Sequence, residues 1–318
     1  MTLTVTKSRL AGLDVLRGIN IAAMIIYHFC LVYYPNPITL PTTLIHFVGS
    51  LVGRLFLFLA GVGTWFFFRK RPSITLLKRG IFLFLLTALI NFFIEGDYYI
   101  DWNIIQDIGF CFIIMALLAY FSLRYKFWLA LVIYLVCFGL FVQFDFKLEG
   151  VFPIFPLAIY FLIGYSTAWL CSISPSKPIV AKPPILVPTV SLGMMVLGFL
   201  VNIWTSGNRF EWCALTLAHN GGFIGLYFLF VYLWGHWSYQ GFSGRFLVLL
   251  GTTSLTSYYI QQALMVFLRT IGFQVIVISR FISYILLTII IFVVIYVIIN
   301  VWKRFKFVGT LEWWMRRL

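Results

Sequence analysis

Long apolar runs, each stopped by a charge, a proline or a polar cluster, set the rhythm of this chain. A hydrocarbon core of about 30 Å needs roughly 20 predominantly apolar residues per helical crossing. Ten stretches of that kind are present, centred on Met24, Leu57, Leu86, Ile113, Ile133, Leu162, Met195, Ile224, Ser257 and Leu287. The alternating segments of about ten residues that a membrane barrel requires are not found. The pattern predicts an all-α integral membrane protein of about ten transmembrane helices. In the fourth stretch, Asn103 to Phe121, the polar residues Gln106 and Asp107 interrupt the first turn, so it can also start as an interfacial or re-entrant segment. Prolines between Pro175 and Pro188 read as a stiff linker between the first six crossings and the last four. No tract resembles a soluble domain, and residues 1–318 read as a single polytopic unit.

Charge orients the set. Lys and Arg accumulate in short cytoplasmic loops. With ten crossings, one side receives Lys7, Arg9, Arg69 to Arg71, Lys78, Arg79, Arg124, Lys126, Lys177, Lys182, Arg245, Lys303, Arg304, Lys306, Arg316 and Arg317. The other receives Lys147, Arg209, Arg269 and Arg280 together with six acidic residues. Both termini are therefore expected in the cytoplasm, in a multi-pass protein of the plasma (inner) membrane. Composition agrees: 62% apolar and 10% charged residues with a mean hydropathy of +1.01, against about 45–50% and about 25% in soluble domains. The net charge of +14 is scattered between apolar runs and forms no single stripe, which excludes nucleic acid as the first reading of it. The opening residues lack the short apolar core and cleavage site of a removable signal. Five cysteines without a CxxC suggest neither a disulfide framework nor a thiolate metal site, and no metal is expected.

Ionisable side chains inside a crossing cost about 2.5–3.5 kcal/mol each on insertion scales, which makes them functional candidates. Arg17 and His28 are eleven positions apart, so both project from one face of the first helix, with Asn20 and Met24 on the same stripe. At about 1.5 Å per residue, His28 lies about 16 Å beyond Arg17, near the bilayer middle if Arg17 marks the cytosolic edge. Each alone has a plainer reading, Arg17 snorkelling to phosphates and His28 bonding a neighbouring helix. The second helix carries His46, Ser50 and Arg54 at successive i+4 spacing beside Gly49 and Gly53. Arg54 needs a partner or a wet cavity, whereas His46 near the outer interface reads as a solvated end residue. Asn103, Gln106 and Asp107 fall at the outer boundary of the fourth crossing. Ser254, Tyr258 and Gln261 share a face of the ninth, which lines a polar cavity or serves ordinary interhelical bonding. The AHNGG run, His219 to Gly222, suggests a loosened eighth helix. No HExxH, P-loop or GxSxG supports metal hydrolysis or ATP use.

The segment Arg9 to His28, RLAGLDVLRGINIAAMIIYH, resembles the opening helix of the transmembrane acyltransferase superfamily, whose signature is an arginine and a histidine with ten residues between them. GRLFLFLAGVG, LLKRG, IIQDIG, LGTTSLTSYYIQQ and GTLEWWMRRL follow in order. The set is most similar to the bacterial heparan-alpha-glucosaminide N-acetyltransferase-like group. The resemblance implies transfer of an acyl group, most often acetyl, from cytosolic acyl-CoA to a sugar hydroxyl or amine on the other face. It carries His28 over as the catalytic histidine and Arg17 as its partner. Two departures stand out: Gln106 and Gln261 occupy positions where many bacterial relatives have histidine. In the animal enzymes the reacting histidine follows the first helix, which keeps His46 a rival.

Elementary chemistry fits that expectation. Arg17, Arg69, Arg71, Lys78 and Arg79 on the cytosolic rim suit the phosphates of acetyl-CoA, although positive-inside topology and anionic lipids also account for such a rim. A neutral His28 would act as general base or nucleophile, and Arg54 would stabilise the oxyanion. Asn103, Gln106, Asp107, Ser254, Tyr258 and Gln261 are candidates for holding a glycan acceptor. Expected partners are acyl-CoA, the glycan and membrane lipids, with a homodimer left open. The rival reading is a proton-coupled transporter or flippase, in which the same charged groups form a pathway. The absence of visible inverted repeats weighs against it.

Overall fold

A computed structural model describes residues 11–33, 40–95, 103–118, 121, 123–144, 154–173, 242–270 and 280–318. The expected seventh and eighth crossings, the AHNGG run and the Pro175–Pro188 linker lie outside them. Every regular element among the described residues is helical: α1 (Ala11–Tyr33), α2 (Leu40–Phe68), α3 (Ser73–Glu95), α4 (Ile104–Leu117), α5 (Leu123–Phe144), α6 (Ile154–Ile173), α7 (Phe242–Thr252), α8 (Ser254–Thr270), α9 (Arg280–Arg304) and α10 (Leu311–Arg317). Four contain stretches long and apolar enough to cross a membrane, Leu13–Cys30, Leu51–Phe68, Ser73–Ile90 and Ile285–Arg304. In α9 Leu287, Ile291, Ile295 and Ile299 are buried while Ile289, Ile290, Val293 and Val297 are exposed. A helix apolar on both its inward and outward faces is built for lipid.

Two compact units divide the chain, with the division inside α2 between Val52 and Gly53. In the first, α1 packs on α7, α8 and α9. Gly18 lies against the backbone of Leu247, and Gly251 against the carbonyl of Asp14, so α1 and α7 touch main chain to main chain in opposite directions. Asn20 reaches the Val52 carbonyl at 3.1 Å and fastens α1 to α2 within this unit.

The expected ninth crossing is two helices. Thr253 interrupts it, and the hydroxyls of Thr252 and Thr253 both turn back to the Leu249 carbonyl at 2.9 and 2.8 Å. Such back-bonding bends a helix, and the backbone donors that open α8 need an acceptor. Glu312 of α10 supplies it, accepting from Leu255 N at 2.7 Å, Thr256 N at 3.0 Å and the Thr256 hydroxyl. The short α10 is turned into place by left-handed backbone at Lys306, Phe307 and Gly309.

In the second unit, α4 lies along α3 in the opposite direction. Gly80 faces Gly109 and Ile113, while Gly109 faces Leu83 and Phe84. A methyl group at Gly109 would stand 2.9 Å from the Gly80 carbonyl, so only glycine permits this approach. That register has a consequence for depth. At about 1.5 Å per residue, α4 is about 21 Å long, too short for the hydrocarbon core, and its first residue is level with about Ala88 of α3.

Candidate functional site

His28 is held by α8. Gln261 Nε2 lies 2.8 Å from His28 Nδ1, the Tyr258 ring stands edge-on at 6.3 Å between centroids, and Tyr27 packs beside the imidazole at 5.8 Å. Tyr258 and Gln261 reach one imidazole because three residues of helix bring side chains back to one face. Ser254, at the start of α8, is about 10 Å further back along the axis by the same helical rise. Gln261 is fully buried, and its amide also contacts the Met265 sulfur at 3.3 Å. Its Oε1 has no hydrogen-bond partner among the described residues. His28 itself is half-buried.

His28 lies five residues before the end of α1, Ala11–Tyr33. Arg17 pairs with Asp14 on its own helix at 3.4 Å. Asp14 is buried and is a member of the charged set that the sequence pattern did not single out; its i−3 spacing from Arg17 was the available signal.

The orientation of the Gln261 amide decides what His28 can do. With the NH₂ toward Nδ1, the imidazole carries its proton on Nε2 and can only donate from that side. With the carbonyl toward Nδ1–H, Nε2 becomes a free base. A 180° rotation of one amide exchanges the two.

The second unit holds the other candidates. Arg54 is half-buried with its guanidinium 5.7 Å from the Tyr160 ring centroid, the partner that sequence spacing gave no means of finding. Arg79 lies 4.9 Å over Phe67, and Lys126, which is buried, 4.1 Å over Phe68. Cations over aromatic faces keep their charge without a carboxylate. Arg69, Arg71 and Lys78 are exposed around the turn between α2 and α3, where they remain open to solution anions. His46 and Ser50 lie in α2, but their side chains are outside the described set.

At the head of α4, Asn103 caps the helix: its side chain accepts from Ile105 N at 3.0 Å and Gln106 N at 3.3 Å, and Gln106 Oε1 accepts from Asn103 N at 3.0 Å. Asp107 and Gln106 are fully buried, and neither Asp107 oxygen nor Gln106 Nε2 has a partner among the described residues. By the α3–α4 register Asp107 is level with Leu85 of α3. The sequence marks where the polar turn starts but not how far α4 slides along α3. No three His, Cys, Asp or Glu side chains among the described residues gather as a metal-binding group.

Comparison with known proteins supplies the class. No curated protein matches the chain. A model of the heparan-alpha-glucosaminide N-acetyltransferase catalytic region matches residues 9–234, which takes in α1 to α6 and stops before Gln261. Because that match covers more than half of the sequence and includes both Arg17 and His28, the chain belongs to the heparan-alpha-glucosaminide N-acetyltransferase catalytic family, a family of acetyltransferases.

Proposed function

We propose that this protein transfers an acetyl group from cytosolic acetyl-CoA to a hydroxyl or amine of a sugar or glycan presented on the opposite side of the plasma (inner) membrane, with both chain ends in the cytoplasm. The observation that carries the reading is the 2.8 Å contact between Gln261 and His28, an ionisable ring on an apolar helix oriented by a buried amide. A nitrogen so positioned is what general-base catalysis requires. With the Gln261 carbonyl on Nδ1–H, Nε2 takes the acceptor's proton as its oxygen or nitrogen attacks the thioester carbonyl. The carbon–sulfur bond breaks, and the coenzyme leaves as a thiolate that takes up the proton.

Purified full-length protein, incubated with radiolabelled acetyl-CoA and a panel of sugars, should move label to an acceptor. His28→Ala should lower turnover by about 10²–10⁴-fold, the range for loss of a positioned acid or base, while donor binding persists. If His28→Ala turns over normally and His46→Ala is inactive, the role passes to α2. If no variant and no wild-type sample binds the donor, while vesicles carrying the protein accumulate a solute, the transporter reading replaces this one.

A further inference from the structure

Helix α8 begins where a side chain from the closing GTLEWWMRRL stretch opens its backbone ladder. In an uninterrupted helix the amides of Leu255 and Thr256 would donate to the carbonyls of Gly251 and Thr252, four residues back. Here both donate to Glu312 Oε1, at 2.7 and 3.0 Å, and the ladder resumes with Ser257 N on the Thr253 carbonyl at 2.8 Å. A side chain inserted into the i→i−4 ladder is one of the identifiable causes of a helix bend. Glu312 is itself fixed. Its Oε2 accepts from the Thr256 hydroxyl, whose oxygen accepts in turn from Leu311 N at 3.0 Å. The buried Thr310 hydroxyl donates to the Phe307 carbonyl at 2.9 Å and accepts from Trp313 N at 3.2 Å, which ties α10 to the left-handed turn before it.

This wedge stands close to the imidazole. Before the break, α7 is pinned to α1 main chain to main chain at Gly18 and Gly251. After it, α8 carries Tyr258 and Gln261 to His28, with Gln261 Nε2 at 2.8 Å from Nδ1. With α7 held against α1, the direction that α8 takes from Thr253 onward decides where Gln261 arrives. Gln261 is about 12 Å along the axis from Thr253, so a change of about 10° in the bend displaces its amide by about 2 Å. That is enough to lose a hydrogen bond.

We propose that Glu312 is a positioning residue for the His28 site: it holds the bend between α7 and α8 at the angle that brings Gln261 against the imidazole. Its effect on turnover rests on the acetyl-transfer reading, whereas its effect on the ring does not.

Full-length protein carrying isotopically labelled histidine is placed in nanodiscs, where the His28 nitrogen resonances, identified by their loss in His28→Ala, are read beside acetyl transfer from acetyl-CoA. Glu312→Ala should move those resonances toward their positions in Gln261→Met. It should also lower kcat by about tenfold, within the range that misplacement from a remote change produces, with the donor KM unchanged. Glu312→Gln keeps an acceptor for both amides and should restore both readouts. If Glu312→Ala folds poorly, Thr256→Val, which removes only the hydroxyl, should shift the same resonances in the same direction by less. Combining Glu312→Ala with Gln261→Met should cost no more than Gln261→Met alone, because both act on one contact. Additive losses overturn the proposal, as does a Glu312→Ala protein that melts earlier but keeps wild-type His28 resonances and kcat. A wild type that transfers no label while the resonance shifts appear sinks the acetyl-transfer reading and leaves the positioning role standing.

Discussion

The two units differ in how often a polar group inside an apolar helix meets a partner. In the first, nearly every such group meets a specific partner: Arg17 meets Asp14, Asn20 the Val52 carbonyl, His28 Gln261, and Glu312 three donors at the head of α8. In the second, Arg79 and Lys126 rest on aromatic faces, and Asp107 and Gln106 keep unsatisfied atoms among the described residues. Paired groups hold geometry, which suits a ring that must present one nitrogen in one direction. Unpaired ones carry a desolvation cost of about 1–3 kcal/mol each.

The sharpest way to break the contrast is to attack the backbone contact that sets the first unit. Gly251→Leu would push a side chain into the Asp14 carbonyl. Overpacking costs about 1–3 kcal/mol and sometimes more, so the yield of folded protein should collapse, as size-exclusion profiles in detergent would reveal. An unchanged profile would mean α1 and α7 separate freely. Next in size is Gln261. Glutamate there fixes the proton on His28 Nδ1 and frees Nε2 as a base, whereas Gln261→Met removes the orienting group at similar volume. If His28 is a base, the glutamate variant should retain acetyl transfer and the methionine variant should lose about tenfold to a hundredfold, within the scale of such orienting partners. Loss of activity in the glutamate variant alone would make His28 a hydrogen-bond donor.

Asp107 tests the other side of the comparison. Replacing an unpaired buried carboxylate with an isosteric apolar group removes a desolvation penalty, so Asp107→Val should raise stability by about 1–3 kcal/mol. Thermal unfolding followed by tryptophan fluorescence would register this, and destabilisation would mean a partner had gone unrecognised. The smallest effect concerns Glu312, on a helix beyond the spans. Burial raises its carboxyl above the usual range, while hydrogen bonds from Thr256 and Leu255 oppose the rise. A raised carboxyl binds its proton more tightly when folded, so the contribution is fully present below the unfolded value and lost as pH rises through the folded one. Docking of α10, followed through Trp313 and Trp314, should loosen over that window. Glu312→Gln should flatten the dependence.

Much of this was legible beforehand, for identifiable reasons. The RGINIAAMIIYH stretch fixed the spacing of Arg17 and His28, and the ordered motifs that follow it marked the family, since helical periodicity and short motifs are local properties. The Ser254–Tyr258–Gln261 face was visible from period alone, but not that two of its members close on His28, which lies 233 positions away from Gln261. The break at Thr253 was hidden because an apolar count passes through threonines without noticing it. That Asp107 stands level with Leu85 was not legible, because it depends on a glycine-to-glycine contact with another helix.

Sequence by itself determined that this chain lives in lipid as a set of helices, which charged groups interrupt them, and to which family it belongs. Those follow from composition and short-range period, and neighbouring residues suffice to express them. Tertiary structure alone decided which polar atoms are paired and which are left open, because hydrogen bonding in an apolar medium depends on the register between helices distant in sequence. A shift of one turn, about 5.4 Å, would pass Gln261 beyond the imidazole without altering a single letter.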